Sequence, residues 1–302
     1  MLIPRLLIGT MLGSLCLYSA SCDKNHPTTH TATEQPNRHV PLEGQPNFRD
    51  LGGYKTSDGK TIVWHKLYRT GSLKELSDAD VEKLDDLGIK TVVNFLSDLE
   101  VKSEDPDRVP EGTKEIHIPI DPKIGLGEEF MHDLMSARKT GDFSKIPASV
   151  NPEIHRALVT DANKEYTRLL NLLAEPSNYP LAFHCSHGVH RTGTASAIIL
   201  SALGVPWETI QQDYVLSRKL REKQNTKRIN ELTETYAKSK GIKPEEVDAT
   251  DIKAFYLLET DYIDGTLEQA VKDYGSMGNY IRNGLGIDEA TLTKIKANLL
   301  TK

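Results

Sequence analysis

The stretch YPLAFHCSHGVHRTGTASAIILSALG, residues 179–204, decides the reading of this chain. Its first part, YPLAFHC, is short and apolar and predicts a buried strand. Its last part, RTGTASAIILSALG, is a run of small and apolar residues closed by Gly204 and predicts a helix over 191–204. Between them lies SHGVH, a loop with one glycine. A loop that runs from a strand into a helix N-terminus turns free backbone N–H groups into one concavity, where the helix dipole adds partial positive charge. Such a place binds a tetrahedral anion without a basic surface and lowers the pKa of a thiol set in it.

The residues of that loop have separable expected roles. Cys185 and Arg191 are five residues apart, a length that wraps once around a phosphate-sized anion. Arg191 can then grip two of its oxygens with a planar fork. Gly188 admits backbone geometry that a side chain would obstruct. The backbone of Ser186, His187, Gly188, Val189 and His190 lines the expected anion site. Thr192 can hydrogen-bond the sulfur, and His184 orients the loop. An isolated cysteine is more often a small buried hydrophobe; the arginine spacing and the strand–loop–helix context reverse that reading here. Zinc is the competing reading for three nearby histidines, His184, His187 and His190. The loop lacks a second thiolate and a ligand pair with metal spacing, so no metal or other cofactor is expected.

Working outward, alternating strands and helices predict an α/β fold. Strands are expected at 64–73, 89–97, 114–120 and 179–185, with helices starting at Ser77 and covering 161–175. Residues 44–302 make the domain. A helical lid or insertion is expected at about 123–160, and an almost wholly helical part follows from about 206. Arg49 and Arg69 are read as partners of a carboxylate, the commoner use of a partly buried arginine. Tyr214 and Tyr274 are read as packing, and RKLREKQNTKR (218–228) as a solvated helix face.

The N-terminus is read separately. Residues 1–21 carry one basic residue, Arg5, an apolar run and then small residues, the pattern of an export signal. Ser19-Ala20-Ser21-Cys22 resembles a lipobox, with Ser19 where leucine is usual, so Cys22 is expected to carry a lipid anchor on an exported, membrane-tethered protein. Ordinary cleavage and secretion is the alternative. Residues 22–43 are polar and rich in Pro and Thr, a flexible tether. Cys16 leaves with the signal, so Cys185 is the lone thiol of the domain and no disulfide half. The formal net charge of −6 argues against a nucleic-acid partner.

The sequence His184-Cys185-(five residues)-Arg191-Thr192-Gly193 resembles the signature of cysteine-dependent protein tyrosine phosphatases. NFRDLGGY, LYRTGSL, DYVLS (213–217) and YGSMGNYIRNGLGID (274–288) extend the resemblance to the bacterial group typified by secreted mycobacterial and Listeria enzymes. The resemblance implies a central, mostly parallel sheet flanked by helices. It also implies a two-step reaction: Cys185 attacks phosphorus, Arg191 and the loop amides stabilise the charge, and a carboxylic acid protonates the leaving oxygen. In that group the acid follows a strand and a Pro-containing turn. HIPIDP fits, which selects Asp121, with Asp98 and Asp161 as alternatives; Asp161 also reads as a helix N-cap. Two departures bear on the substrate. Relatives have Lys-Asp where this chain has Val189-His190, and DLRS where it has an Asn94 and Leu96 context. The missing lysine argues against phosphoinositides without excluding them. The expected substrate is a phosphorylated protein, phosphotyrosine first, with a phosphoinositide or inositol phosphate as runner-up. A rhodanese-like sulfur transferase and an inactive phosphate-binding module are the remaining readings.

Overall fold

The computed structural model describes residues 37–123 and 126–302. The expected signal, Cys22 and most of the expected tether lie outside the described residues. Five strands form one sheet: β1 (Arg49–Asp50), β2 (Leu67–Thr70), β3 (Thr91–Asn94), β4 (Lys114–His117) and β5 (Leu181–His184). Their order is β1-β2-β5-β3-β4. β1 is antiparallel to β2 and the other pairings are parallel, so the expected mostly parallel α/β sheet is what forms.

The last chain-order strand, β5, is therefore central. His184 at its end is in register with Thr70 of β2 and with Asn94 of β3. The loop after β5 emerges between the carboxyl ends of its two neighbours, where open α/β sheets bind ligands. Alternation along the strands sets the two faces. Val93, Leu181 and Phe183 enter the larger apolar core, whereas Val92 and Ala182 face the smaller one with Phe48, Tyr68 and Leu84.

Among the described residues, twelve α-helices flank the sheet. α1 (Asp78–Asp86) starts on a Ser77–Asp80 capping box, as its sequence predicts, and covers the smaller core. α2 (Asp98–Ser103) follows β3 on a Ser97–Glu100 capping box. α3 (Gly127–Thr140), α4 (Val150–Asp161) and α5 (Asn163–Leu173) lie between β4 and β5. α6 (His190–Leu203) leaves the central loop and is buried almost throughout. α7 (Trp207–Leu220), α8 (Glu222–Lys240), α9 (Thr250–Tyr256), α10 (Asp264–Tyr274), α11 (Met277–Asn279) and α12 (Glu289–Leu299) complete the chain.

Three expectations need correction. Residues 37–43 belong to the fold and not to a tether. Val40 N–H donates to Phe48 O, Arg38 donates to Asp50 O and Gly52 O, and Leu42 is buried in the smaller core. Segment 123–160 is only partly an insertion. α3 packs with α8 and α9 in a satellite apolar cluster, but Leu158 and Val159 of α4 sit in the main core. Asp161 is the last residue of α4 and caps nothing, because α5 starts after Ala162 without a side-chain cap.

The helical C-terminal third is part of the same unit as the sheet. Ile263, Ile281, Leu292, Ile295 and Leu299 all enter the main core. The chain end closes onto the start of the domain through Val63 N–H donating to Leu299 O and Thr301 N–H donating to Thr61 O.

Candidate active site

Cys185 is a free thiol, 4% exposed, immediately after β5. The N–H groups of Ser186, His187, Gly188 and Val189 find no oxygen acceptor among the described residues, while the carbonyls of the same stretch are bonded from behind. Ser72 N–H donates to Ser186 O at 3.0 Å. Asn47 Nδ2 donates to His187 O and Gly188 O at 3.0 and 3.2 Å. Arg69 Nη2 donates to Gly188 O at 2.9 Å. Donors left free and acceptors occupied make an anion cradle. Gly188 is required in it: its φ is +67°, and a Cβ there would lie 2.3 Å from Thr70 O.

Burial pushes the Cys185 thiol up, yet it ends below the ordinary cysteine value. Arg191, the Thr192 hydroxyl, and the backbone amides of Thr192 and Gly188 outweigh the burial. Thr192 Oγ1 is buried without a partner of its own, which leaves it for the sulfur. Each of these groups favours the thiolate over the thiol.

Arg191 is held by more than the loop. Its Nη1 donates to Glu100 Oε2 at 2.7 Å and to the carbonyls of Phe95 and Ile120 at 3.1 Å each. Its Nη2 donates to Glu100 Oε1 at 2.8 Å and to Ser186 Oγ at 3.1 Å. Tyr166 OH donates to its carbonyl. Burial works against ionisation of Glu100, but Arg191 brings the carboxyl down to about 2. Sequence alone does not single out Glu100, although its signal is present: it is the fourth residue of Ser97-x-x-Glu100, which reads as a helix cap.

The remaining predicted residues fall as follows. His184 is fully buried, with Nε2 2.9 Å from Asp107 Oδ2 and Nδ1 3.3 Å from Cys185 O; it touches the loop from behind, as an orienting residue would. His187 is exposed and His190 half-buried. His190 Nε2 lies 2.8 Å from Asn151 Oδ1. The Asn151 amide is oriented by donating to Ala254 O and Phe255 O, so Nε2 carries the proton. Burial and the charges of Arg138, Arg191 and Arg221 push His190 down to about 3. The Val189 side chain is in the core, so only its backbone is available to a ligand. Asp121 is exposed and follows Ile120, whose carbonyl receives Arg191; its Oδ1 accepts from Lys123 N–H at 2.8 Å. Asp98 is exposed on α2, 3.8 Å from His117 Nδ1.

Arg49 and Arg69 pair with a carboxylate as expected, and the carboxylate is Asp213 of α7. All three are buried. Tyr214 is packed as expected, with its hydroxyl 3.1 Å from His155 Nε2. The solvated-face reading of 218–228 fails at Asn225, which is buried on α8, and at Arg221. Arg221, at the junction of α7 and α8, is near enough for its charge to bear on His187, His190 and Cys185.

A sequence profile described as the tyrosine phosphatase family matches residues 40–301. A provisionally named tyrosine-protein phosphatase of Cupriavidus necator is 27% identical over 91% of this chain and 96% of its own length. The triple specificity protein phosphatase PtpB of Mycobacterium tuberculosis is 27% identical over 86% of this chain and 98% of its own. A likeness to the core catalytic domain of the PP-IP phosphatase SIW14 from S. cerevisiae covers 78% of this chain and 95% of that one. It has 15% identity and a TM-score of 0.31, too slight to carry an argument.

Proposed function

This chain belongs to the tyrosine phosphatase family, and we propose that it hydrolyses phosphomonoesters through a phosphocysteine on Cys185, with phosphotyrosine in protein as its first substrate. The observation that carries the reading is the cradle itself: a lowered thiol, loop amides without an oxygen acceptor, and the Arg191 charge held at the loop by Glu100. In the first step the Cys185 thiolate attacks phosphorus and the ester oxygen departs. Arg191 and the amides of the loop take up the charge on the three other oxygens. Asp121 donates a proton to the departing oxygen, then accepts one from the water that hydrolyses the phosphocysteine. The positive field comes from the loop and Arg191, so no metal is required. The mycobacterial relative is named a triple specificity protein phosphatase, which supports a substrate range wider than phosphotyrosine.

One observation favours the second reading, a phosphoinositide or inositol-phosphate substrate. The charges of Arg138 of α3 and Arg221 both bear on His190 of the loop, so two further cations would act on a multiply phosphorylated ring bound there.

The test is hydrolysis of a phosphotyrosine peptide, a phosphoserine peptide, phosphoinositides and inositol hexakisphosphate, in chelator. Turnover of the phosphotyrosine peptide that Cys185→Ser abolishes is expected. Preference for the inositol phosphates would favour the second reading, and turnover that needs added metal would overturn both. Asp121→Asn is expected to slow esters of poor leaving groups by about 10²-fold or more and activated aryl esters far less. Equal slowing of both would remove Asp121 from the acid role.

The N-terminal residues support export with a lipid on Cys22. Labelling with a fatty acid in a bacterial host is expected to mark the full chain and to be lost in Cys22→Ser. Retention of the label in that variant would contradict the anchor.

A further inference from the structure

The family motifs NFRD, LYRT and DYVLS put residues far apart in sequence into one buried cluster behind the cradle. Asp213 is its centre. Its Oδ1 accepts from Arg49 Nε at 3.1 Å and from Tyr54 OH at 3.0 Å, and its Oδ2 accepts from Arg69 Nη1 at 2.5 Å. Its backbone carbonyl accepts from Arg49 Nη2 at 2.8 Å, the same nitrogen that donates to Ser217 Oγ at 3.0 Å. Two guanidiniums and one carboxylate are thus sealed from water, with Arg49, Arg69 and Asp213 each no more than 1% exposed. Burial disfavours the Asp213 charge, but Arg49 and Arg69 hold the carboxyl well below its usual range. Removing one partner from such a group leaves uncompensated buried charge.

Two arms run from this cluster to the loop. Arg69 spends its other terminal nitrogen on Gly188 O. Arg49 Nη1 donates to Asn47 Oδ1 at 2.6 Å, which fixes the Asn47 amide so that its Nδ2 reaches His187 O and Gly188 O. A planar trans peptide points its C=O and the following N–H in opposite directions. Holding the carbonyls of 187 and 188 toward the cluster therefore aims the N–H groups of 188 and 189 away from it, into the cradle. The Gly188 amide is one of the groups that lower the Cys185 thiol.

We infer that Asp213 is a positioning residue for the reaction, acting through Arg49, Arg69 and Asn47 to keep the loop amides turned toward the thiolate and the bound phosphate. The inference rests on the reading of the loop as a phosphatase cradle. Asp213 itself touches neither sulfur nor substrate. Without its carboxylate, the anchors on the 187 and 188 carbonyls loosen, and the glycine offers little resistance to rotation of the 188–189 peptide. A rotated peptide presents a carbonyl oxygen where an N–H had been, so both thiolate and phosphate are disfavoured.

The test is the rate of Cys185 alkylation by iodoacetamide against pH, with and without inorganic phosphate, in full-length protein carrying Asp213→Asn or Asn47→Ala. Asn47→Ala removes one arm and leaves the ion cluster in place, so it decides the matter if Asp213→Asn does not fold. In the unaltered protein the midpoint is expected below the ordinary cysteine value of about 8.5, with phosphate protecting. In the variants the midpoint moves up, by about one pH unit in Asp213→Asn, and protection needs about tenfold more phosphate. A folded variant with the original midpoint and the original protection overturns the inference while leaving the phosphatase reading intact. Absence of phosphate protection in the unaltered protein overturns both.

Discussion

At the scale of single residues, Glu100 shows how one carboxylate can serve two structures. Its Oε2 accepts from Ser97 N–H at 2.8 Å, closing the capping box of α2, and the same atom accepts from Arg191. The helix cap thereby fixes the carboxylate that fixes Arg191. Glu100→Gln keeps a capping side chain but removes the charge, and kcat/KM is expected to fall by about 10²-fold, measured on a phosphotyrosine peptide; an unchanged value would mean that the loop alone orients Arg191. Cys185, Arg191 and Thr192 were legible in sequence because loop length and the helix start constrain them. Glu100 was not, because its partner is ninety-one positions away and its spacing from Ser97 has a sufficient local explanation. Asp213 was hidden for the same reason: inside DYVLS it looks like any helical acid, and only the fold brings it to Arg49 and Arg69.

At the scale of elements, the strand–loop–helix unit of β5 and α6 followed directly from apolar runs on either side of a glycine loop. α4 did not, since its buried polar residues obscure the apolar face. Asn151 and His155 of α4 are both fully buried. His155 is bonded to Thr194 Oγ1 of α6 at 2.8 Å and to the Tyr214 hydroxyl of α7 at 3.1 Å. It joins three helices around the site through a neutral imidazole. Burial, His190 and Arg69 hold its pKa well below the ordinary histidine value. As pH falls below about 6.5, the unfolded chain therefore takes up the proton first, and stability drops by about 1.4 kcal/mol per pH unit from this group. The stability is fully present above that pH and is lost as pH falls toward the depressed folded value. Denaturant unfolding at a series of pH values is expected to show this slope, and His155→Gln is expected to reduce it by about that amount. Equal slopes in the two proteins would show that His155 is protonated in the fold.

At the scale of the whole molecule, the domain begins earlier than composition suggests and closes on its own C-terminus. The polar run after residue 22 gave no sign that Arg38 would stack on Tyr54 at 3.6 Å or that Leu42 would be buried. These contacts pair the segment with residues in the β1 region and with α1, information that no local window holds. A chain starting at Asn37 is expected to match the full chain in melting temperature and turnover. One starting at Gly44 is expected to lose about 2–5 kcal/mol, the scale of deleting one large buried side chain, read from denaturant midpoints. Equal stability of the two would return 37–43 to the tether. The central claim is that Cys185 takes the phosphoryl group. Acid quenching during turnover of a phosphotyrosine peptide, followed by peptide mass analysis, tests it directly. Phosphate is predicted on the peptide containing Cys185, and none in Cys185→Ser. Turnover without phosphate on Cys185, or with phosphate on another residue, would contradict the account.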